Sequence, residues 1–437
     1  MGHPPIHVRA VLGSRLRLAM LAAATMLTCL LPVSQAQTFT VIHQFSNAAD
    51  GGAPIAGLTL ATSGNKFYGT ASDGGQGGGG TVFQLQLKNS NWILTPLHTF
   101  SFVNEGSIGP DSRVLIGPDG SLYATTYSQG LSACENNLGC GTAFRLRPPL
   151  SACQSALCYW TQAMQYRFTG NADGAYPEGD LIFGQSGEIY GTTYGGGNSG
   201  CNLVPPNNCG VVYSLTTSGT QSSIYIFPGG ANGSSPAAGV IQDQAGNLYG
   251  TASQGGSQGC SGLGCGVVYE LSPNGSGWTQ KVLYTFQGET DGAAPMGGLI
   301  FDAAGNLYGT TARGGAGGGG TAFELTSSGG QWTFNLLYSF NAPIQGHDFP
   351  GSHASLAMDA AGNLYGTTMY DGVDAHGAVF KLTLSNGSWT YTSLHDFTGG
   401  TDGAQPESNV IFDSQGNMYG TASAAGTVEG TAWQITP

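Results

Sequence analysis

The sequence has few charged residues, and basic residues are the scarcest. Asp, Glu, Lys and Arg make up 8% of its 437 residues, whereas an ordinary globular domain has about 25%. Only 12 residues are Lys or Arg against 25 Asp or Glu, so the formal net charge is −13. A nucleic-acid-binding protein needs a basic surface, so we exclude nucleic acid as a partner. The absence of long charged heptads also excludes a coiled coil.

Three motifs of well-characterised catalytic sites are absent as well. The sequence has no Gly-x-Ser-x-Gly nucleophile elbow, no Gly-x-x-x-x-Gly-Lys phosphate loop and no His-Glu-x-x-His metal motif. Four-glycine runs occur at 77–80 and 317–320, but no helical pattern follows them. The helix N-terminus that would hold a phosphate is therefore missing. These absences favour a protein without catalytic activity.

Glycine is abundant, with 74 residues, which is more than twice the usual share of about 7%. Such a composition alone is typical of low-complexity chains. However, hydrophobic residues make up 40% and aromatic residues 10%, which is enough apolar surface to form a core. The sequence therefore predicts a folded protein.

The first 36 residues have the pattern of a secretory signal peptide. An apolar run at 18–33 follows Arg9, Arg15 and Arg17, and small residues end the segment at Ala36. This pattern predicts cleavage, export to the periplasm or the medium, and no membrane span in the mature chain. A lipoprotein signal based on Cys29 is the less favoured alternative.

Eight of the nine cysteines form four pairs of near neighbours. The pairs are Cys134 with Cys140, Cys153 with Cys158, Cys201 with Cys209, and Cys260 with Cys265. None has the Cys-x-x-Cys spacing of a zinc site. In an exported chain, an even number of paired cysteines predicts four local disulfides.

One motif recurs along the rest of the chain: an apolar residue followed by Tyr-Gly-Thr, with Tyr-Ala-Thr in one copy at 123–125. Its tyrosines are Tyr68, Tyr123, Tyr190, Tyr249, Tyr308, Tyr365 and Tyr419. They are 54–67 residues apart, and each copy alternates short β-like runs with Gly, Asp and Asn turns. The sequence predicts an all-β protein, a seven-bladed β-propeller of four-stranded antiparallel blades over residues 37–437.

The two ends of the predicted propeller complement each other. The last repeat ends with a third strand at 430–435, and residues 38–45 match the fourth strand of the other repeats. We therefore expect the N-terminal strand to complete the last blade and close the ring, which removes an exposed sheet edge.

The repeat resembles that of the GloVer (Gloeobacter/Verrucomicrobium) tandem-repeat proteins. The resemblance rests on Gly-Asn-Leu-Tyr-Gly-Thr-Thr, present at 305–311 and 362–368, and it extends over nearly all of residues 37–437. It implies an exported bacterial protein but no particular activity. Members carry varied C-terminal anchors. This sequence ends at Pro437, directly after a predicted strand, so we expect no cell-surface anchor.

The residue before the first strand of each blade should lie at the mouth of the central channel. These residues are Gly57, Arg113, Asp180, Gly239, Gly298, Ser355 and Asn409, with His353 as an alternative to Ser355. Asp111, Glu178 and Glu407 lie two positions earlier in three repeats. We predict that Arg113, Glu178, Asp180, Glu407 and Asn409 hold a small polar ligand or a cation. The alternative is a solvated channel rim.

A second candidate site lies in the loops of the sixth repeat. Its residues are His347, Asp348, His353, Asp371, Asp374 and His376. Imidazole and carboxylate groups suit a divalent metal, but no rigid ligand spacing supports one. No cofactor is predicted, and Ca²⁺ or another divalent metal is the alternative. By contrast, His43, His98 and His395 replace a repeated tyrosine, which indicates a packing role.

Together these patterns predict an exported, monomeric binding or interaction module. Its partner would be a glycan, a small molecule or another exported protein. One alternative is a metal-assisted hydrolase or lyase, similar to lactonase-type propellers, with its site at the channel mouth. The other is a purely structural envelope protein.

Overall fold

Seven four-stranded sheets contain every strand in the described part of the chain. The computed structural model describes residues 1–2, 37–101, 109–128, 134, 139–149, 160–197, 209–341, 354–424 and 429–437. Apart from residues 1–2, the predicted signal peptide lies outside these ranges, and its cleavage stays a prediction. Within them, only two short 3-10 turns are helical, at Gly230–Asn232 and Cys260–Gly262. None of the helices described is long and apolar enough to cross a membrane.

Each sheet is one blade, and its strands follow one another in chain order. Blade 1 contains β2 (Leu58–Leu60), β3 (Lys66–Ala71), β4 (Gly78–Lys88) and β5 (Asn91–Ser101). Blade 2 contains β6 (Leu115–Ile116), β7 (Leu122–Thr126), β8 (Thr142–Arg147) and β9 (Thr161–Arg167). Blade 3 contains β10 (Ile182–Phe183), β11 (Ile189–Thr193), β12 (Val211–Leu215) and β13 (Gln221–Ile226). Blade 4 contains β14 (Ile241–Gln242), β15 (Leu248–Ala252), β16 (Val267–Asn274) and β17 (Gly277–Thr285).

The remaining blades follow the same plan. Blade 5 contains β18 (Ile300–Phe301), β19 (Leu307–Thr311), β20 (Gly318–Ser328) and β21 (Gln331–Asn341). Blade 6 contains β22 (Ala357–Met358), β23 (Leu364–Thr368), β24 (Ala378–Ser385) and β25 (Ser388–Asp396). Blade 7 contains β26 (Ile411–Phe412), β27 (Met418–Ala422), β28 (Thr431–Thr436) and β1 (Thr38–Gln44). The predicted seven-bladed propeller is confirmed.

The ring closes through its first strand. β1 pairs with β28, so blade 7 has the order β26-β27-β28-β1. The Phe45 N–H donates to the Gly430 carbonyl at 2.9 Å, and the Glu429 N–H donates to the Phe45 carbonyl at 3.1 Å. The predicted closure is confirmed, and the outer edge of β28 is covered by backbone hydrogen bonds.

The glycine of the Tyr-Gly-Thr motif lies beneath an aromatic ring of the third strand. A Cβ added at Gly309 would come within 2.7 Å of Cζ of Phe323. The same close approach occurs at Gly420, where the neighbouring ring is that of the fully buried Trp433. Glycine is therefore selected here by packing between strands, which accounts for part of the glycine excess.

In blades 1 to 6, the threonine of the motif joins the blade to the next one. Thr310 Oγ1 donates to the Ala354 carbonyl at 3.2 Å, and Thr367 Oγ1 donates to the Ser408 carbonyl at 3.0 Å. Equivalent bonds start from the motif threonines of blades 1 to 4. These acceptors lie just before the first strand of the following blade, so the bonds hold the channel-lining segments in place.

Glycine and proline also meet between blades. A Cβ at Gly377, whose φ is +98°, would lie 2.3 Å from Cδ of Pro406. At the ring closure, a Cβ at Gly430 would lie 2.4 Å from Cδ of Pro54. The proline of the repeated Asp-Gly-Ala-x-Pro element therefore packs against the glycine that starts the third strand of the preceding blade.

Two of the four predicted disulfides lie within the described residues and are confirmed. Cys134 pairs with Cys140, and Cys260 pairs with Cys265. Cys209 is also disulfide-bonded, but its predicted partner Cys201 lies outside the described residues. The predicted pair of Cys153 and Cys158 lies outside them too. The confirmed disulfides fit an oxidising compartment outside the cytoplasm.

Candidate functional site

A cavity of about 490 Å³ lies where the first strands of the blades converge. Its wall is built from residues immediately before these strands or at their start, and all seven blades contribute. The motif threonines of blades 1 to 6 fix this backbone, since their hydrogen bonds end one to three residues before the predicted channel positions. Six of those seven positions line the cavity: Arg113, Asp180, Gly239, Gly298, Ser355 and Asn409. Blade 1 contributes Ile55 and Ala56 instead of Gly57.

A hydrogen-bonded network links four blades at the cavity wall. Asp180 accepts a bond from the Arg113 backbone N–H at 3.0 Å, and its Oδ2 lies 3.0 Å from the Arg113 guanidinium. The Asn409 side-chain amide donates to Asp180 at 3.4 Å across the ring. Asn409 Oδ1 in turn accepts the Ser355 N–H at 2.8 Å. Arg113, Asp180 and Asn409 are therefore engaged with one another and stiffen the wall.

Three carboxyl groups line the same cavity without an equivalent network. Asp111, Glu178 and Glu407 occupy the same position of the repeat in blades 2, 3 and 7, and we call them the acidic cluster. Burial, followed by the negative charge of Glu407, raises the pKa of Asp111 to about 7. Burial, followed by the charges of Asp111 and Glu407, raises the pKa of Glu178 to about 8. Two carboxyl groups therefore retain protons near neutral pH.

The members of the acidic cluster differ in their hydrogen bonds. Glu407 accepts a bond from Ser423 Oγ at 3.1 Å. Asp111 Oδ1 is buried, and no described residue donates to it. A buried oxygen without a donor is uncommon in folded proteins and marks a place where something else can bind.

The rest of the cavity wall is largely apolar. Ile55, Ala237 and Met296 occupy the acidic-cluster position in blades 1, 4 and 5. Ala238 and the start of the first strands add further apolar surface. The cavity is thus acidic on one side and apolar on the other.

Two tyrosines near the acidic cluster were missed by the sequence interpretation. The pKa of Tyr194 is raised by burial and then by the charge of Glu178, and the pKa of Tyr370 by burial and then by the charge of Glu407. Tyr194 OH accepts a bond from Gln254 at 3.2 Å. Tyr194 lies four residues after its motif tyrosine, where four of the seven repeats have Ser or Ala. Tyr370 lies five residues after its own, where the other repeats have no aromatic residue.

The predicted metal site of the sixth repeat gains no support from its described members. Asp371 accepts a bond from Tyr391 OH at 3.4 Å, and Asp374 and His376 are exposed. His347, Asp348 and His353 lie outside the described residues. In the described ranges, no group of three or more His, Cys, Asp or Glu residues has an arrangement that could hold a metal ion.

The repeated histidines and aspartates have structural partners. His43 Nε2 lies 3.1 Å from Asp50, and His395 Nε2 lies 3.2 Å from Asp402. In other blades a tyrosine makes the same contact, as Tyr284 does with Asp291 at 2.9 Å. These side chains fix the turn between blades and do not line the cavity.

Similarity to solved structures is confined to the fold. The chain is similar to a PL25 ulvan lyase, a polysaccharide lyase whose structure holds a bound -[GlcA(1-4)Rha3S]- fragment, with 13% identity and a TM-score of 0.52 over 91% of this chain and 95% of that one. It is also similar to a fungal alcohol oxidase of the AA5 family in complex with copper, with 13% identity and a TM-score of 0.51 over 92% of this chain and 76% of that one. No protein with a curated description matches the sequence.

Family membership rests on the repeat itself. The sequence profile of the Gloeobacter/Verrucomicrobia repeat matches residues 30–204 and 201–433, which is nearly the whole chain. The matched ranges contain all seven copies of the motif, six Tyr-Gly-Thr and one Tyr-Ala-Thr, and the residues that line the cavity. The chain therefore belongs to the Gloeobacter/Verrucomicrobia repeat family.

Proposed function

We propose that the protein is a binding module whose central cavity holds a small ligand. The observation that carries the proposal is Asp111 Oδ1, a buried cavity-wall oxygen without a hydrogen-bond donor among the described residues. Leaving such a group unpaired costs about 1–3 kcal/mol, which a ligand donor would offset. The ligand therefore presents a hydroxyl, amide or ammonium group, as a glycan or a small amine does.

The size and rigidity of the cavity support the same proposal. Its volume of about 490 Å³ falls within the range of about 300–1,000 Å³ typical of small-molecule sites. The bonds of Asp180 to Arg113 and Asn409 hold three blades in register. A preorganised wall lowers the entropic cost of binding, which favours recognition of a small ligand over loose solvation.

A thermal-shift screen with saccharides, amines and divalent metals tests this function on the mature chain. A ligand present at 100 times its Kd should add about 2.7 kcal/mol to the unfolding free energy. Glu178→Gln should reduce the shift. Glu289→Gln, which changes an exposed carboxylate outside the cavity, should leave it intact. If no compound raises the melting temperature, the binding function is rejected and the purely structural alternative is favoured.

The acidic cluster also supports a second candidate function, a hydrolase or lyase. With pKa values of about 7 and 8, Asp111 and Glu178 can donate a proton near neutral pH, as a general acid must. The fold is shared with a polysaccharide lyase, although fold alone does not carry activity. Turnover of glycosides, lactones or uronate-containing polysaccharides that is lost in Glu178→Gln would favour this function. Loss on chelation would favour its metal-assisted form.

The cellular setting remains part of the proposal. Export to the periplasm or the medium is supported by the N-terminal sequence pattern and by the two disulfides. We propose a monomer that meets its glycan, small-molecule or protein partner there. Cell fractionation of the full-length chain, with N-terminal sequencing of the mature form, tests both the export and the cleavage after Ala36.

A further inference from the structure

We infer that the ligand of the central cavity is an organic ammonium ion, with its charge at Asp111 and Glu178 and its apolar body against Ala237, Ala238 and Met296. This inference rests on the proposed binding function and specifies the chemistry of the ligand. It starts from the distribution of charge around the cavity.

No described basic side chain of the wall is available to compensate the negative charge that the acidic cluster acquires when its carboxyl groups ionise. Among the described residues of the lining, Arg113 is the one basic residue, and its guanidinium already lies 3.0 Å from Asp180. The raised pKa of Glu178 comes from burial and then from the charges of Asp111 and Glu407, and no described residue donates to Asp111 Oδ1. An anionic ligand would add to this repulsion, whereas a cation would relieve it.

The opposite side of the cavity determines what kind of cation fits. Ala237, Ala238 and Met296 come from blades 4 and 5 and offer no charge and no side-chain hydrogen-bond group. A hydrated inorganic ion would leave the apolar surface of these residues exposed to water, whereas an alkyl or aryl amine would bury it. The methionine thioether also adapts to ligands of irregular shape.

The protonation of Asp111 and Glu178 gives ammonium binding a specific signature. The charged groups that face Asp111 and Glu178 are Glu407 of blade 7 and the Arg113 and Asp180 pair, and Tyr194 lies close to Glu178. Near neutral pH the two carboxyl groups hold protons, as described above. An ammonium ion favours their ionised forms, so binding must release protons to the buffer.

The experiment is isothermal titration calorimetry of the mature chain with benzylammonium, its neutral isostere benzyl alcohol, and benzoate. Titrations at pH 7 in two buffers with different ionisation enthalpies give the number of protons released. We expect benzylammonium to bind at least about tenfold more tightly than benzyl alcohol, because a hydrogen bond to a charged group is worth about that factor. Its affinity should rise between pH 6 and pH 8.5.

Variants assign the effect to the acidic cluster. Glu178→Gln and Asp111→Asn should each weaken benzylammonium binding by about tenfold and reduce proton release, with little change for benzyl alcohol. Glu289→Gln is the matched control, since it removes the same charge from an exposed loop. Circular dichroism of each variant confirms that the fold is retained.

The outcomes distinguish a failure of the ammonium inference from a failure of the binding function itself. If benzyl alcohol or a saccharide binds as tightly as the amine without proton release, the ammonium inference is wrong and the binding function stands. Stoichiometric Ca²⁺ that displaces the amine also overturns the inference. If none of the probes and no saccharide saturates the protein, both the inference and the binding function fail.

Discussion

The imidazole of His395 lies flat against the ring of Phe39, with the ring centroids 3.5 Å apart, while its Nε2 lies 3.2 Å from Asp402 Oδ2. His395 belongs to β25 of blade 6, and Phe39 belongs to the ring-closing strand β1. Asp402 lies in the turn that leads into blade 7 and also accepts the Thr398 N–H at 2.9 Å. One side chain therefore connects two blades and the turn between them.

This contact makes stability depend on pH. Burial lowers the pKa of His395, and the bond to Asp402 offsets only part of this effect. The neutral imidazole is thus favoured by folding, and its contribution is lost as pH falls through the unfolded value of about 6.5. His395→Tyr keeps a hydrogen-bond donor that other blades use. We expect the melting temperature of this variant, relative to wild type, to rise as pH falls from 7 to 5, and a constant difference would contradict the mechanism.

The acidic cluster has the opposite pH dependence. Because folding raises the pKa values of Asp111 and Glu178, the folded chain binds more protons than the unfolded chain between about pH 4 and pH 8. Their contribution to stability is present at low pH and is lost as pH rises through about 7 to 8. The double variant Asp111→Asn, Glu178→Gln should be more stable than wild type at pH 8.5 by roughly 1–2 kcal/mol, with a smaller gain at pH 5. Urea unfolding at both pH values measures this, with Glu289→Gln as the control.

The interblade threonine bonds can be tested with a matched pair. Thr310→Val removes the donor to the buried Ala354 carbonyl, and we expect a loss of about 1–2 kcal/mol in urea unfolding. Thr421 occupies the equivalent position in blade 7, but its buried Oγ1 has no partner among the described residues. Thr421→Val should therefore be neutral or stabilising. Equal losses in both variants would show that the hydrogen bond is not the cause.

The packing role of the motif glycine can be tested by comparison with blade 2, which has an alanine at the same position. Gly309→Ala places a Cβ 2.7 Å from Phe323 Cζ, and we expect a loss of about 1–3 kcal/mol from overpacking. Adding Phe323→Leu should recover part of the loss. Blade 2 already has Ala124 at this position, so Ala124→Gly should cost only the entropy of a glycine in a strand, about 0.5–1 kcal/mol. Thermal unfolding of the three variants and the wild type measures these differences.

Ring closure predicts a large effect at the N-terminal end of the fold. Deletion of residues 37–45 removes β1 and the buried Phe45 that follows it, and exposes the edge of β28. The truncated chain should melt at a much lower temperature and aggregate through the open edge. Addition of a peptide with the sequence of residues 37–46 should restore part of the stability. A truncated chain as stable as the full chain would contradict closure by β1.

Much of the fold could be predicted because the repeat shows it seven times. The spacing of Tyr68 and its six counterparts predicts the number of blades, and the missing fourth strand after residue 435 predicts the closure by β1. Local disulfides such as Cys260–Cys265 could be predicted from their short separation. These features depend on contacts between near neighbours in sequence or on identical copies.

The candidate site was predictable only in part. The repeat register correctly identifies Arg113, Asp180 and Asn409 as cavity residues. It cannot show that these three bind one another, because the Asn409 to Asp180 contact joins residues that are 229 positions apart. The proximity of Tyr194 to Glu178 likewise depends on the pairing of two segments of blade 3, where the Tyr194 N–H donates to the Tyr176 carbonyl at 2.9 Å.

The sequence by itself determined the blade number, the strand order and the positions that face the channel, because each follows from one local pattern repeated with little change. Only the tertiary structure decided which polar residues neutralise each other. It pairs Arg113 with Asp180 and leaves Asp111 Oδ1 without a donor among the described residues, a difference that the repeat pattern does not show. Charge neutralisation depends on distances across the ring, and these distances exist only when all seven blades are in place.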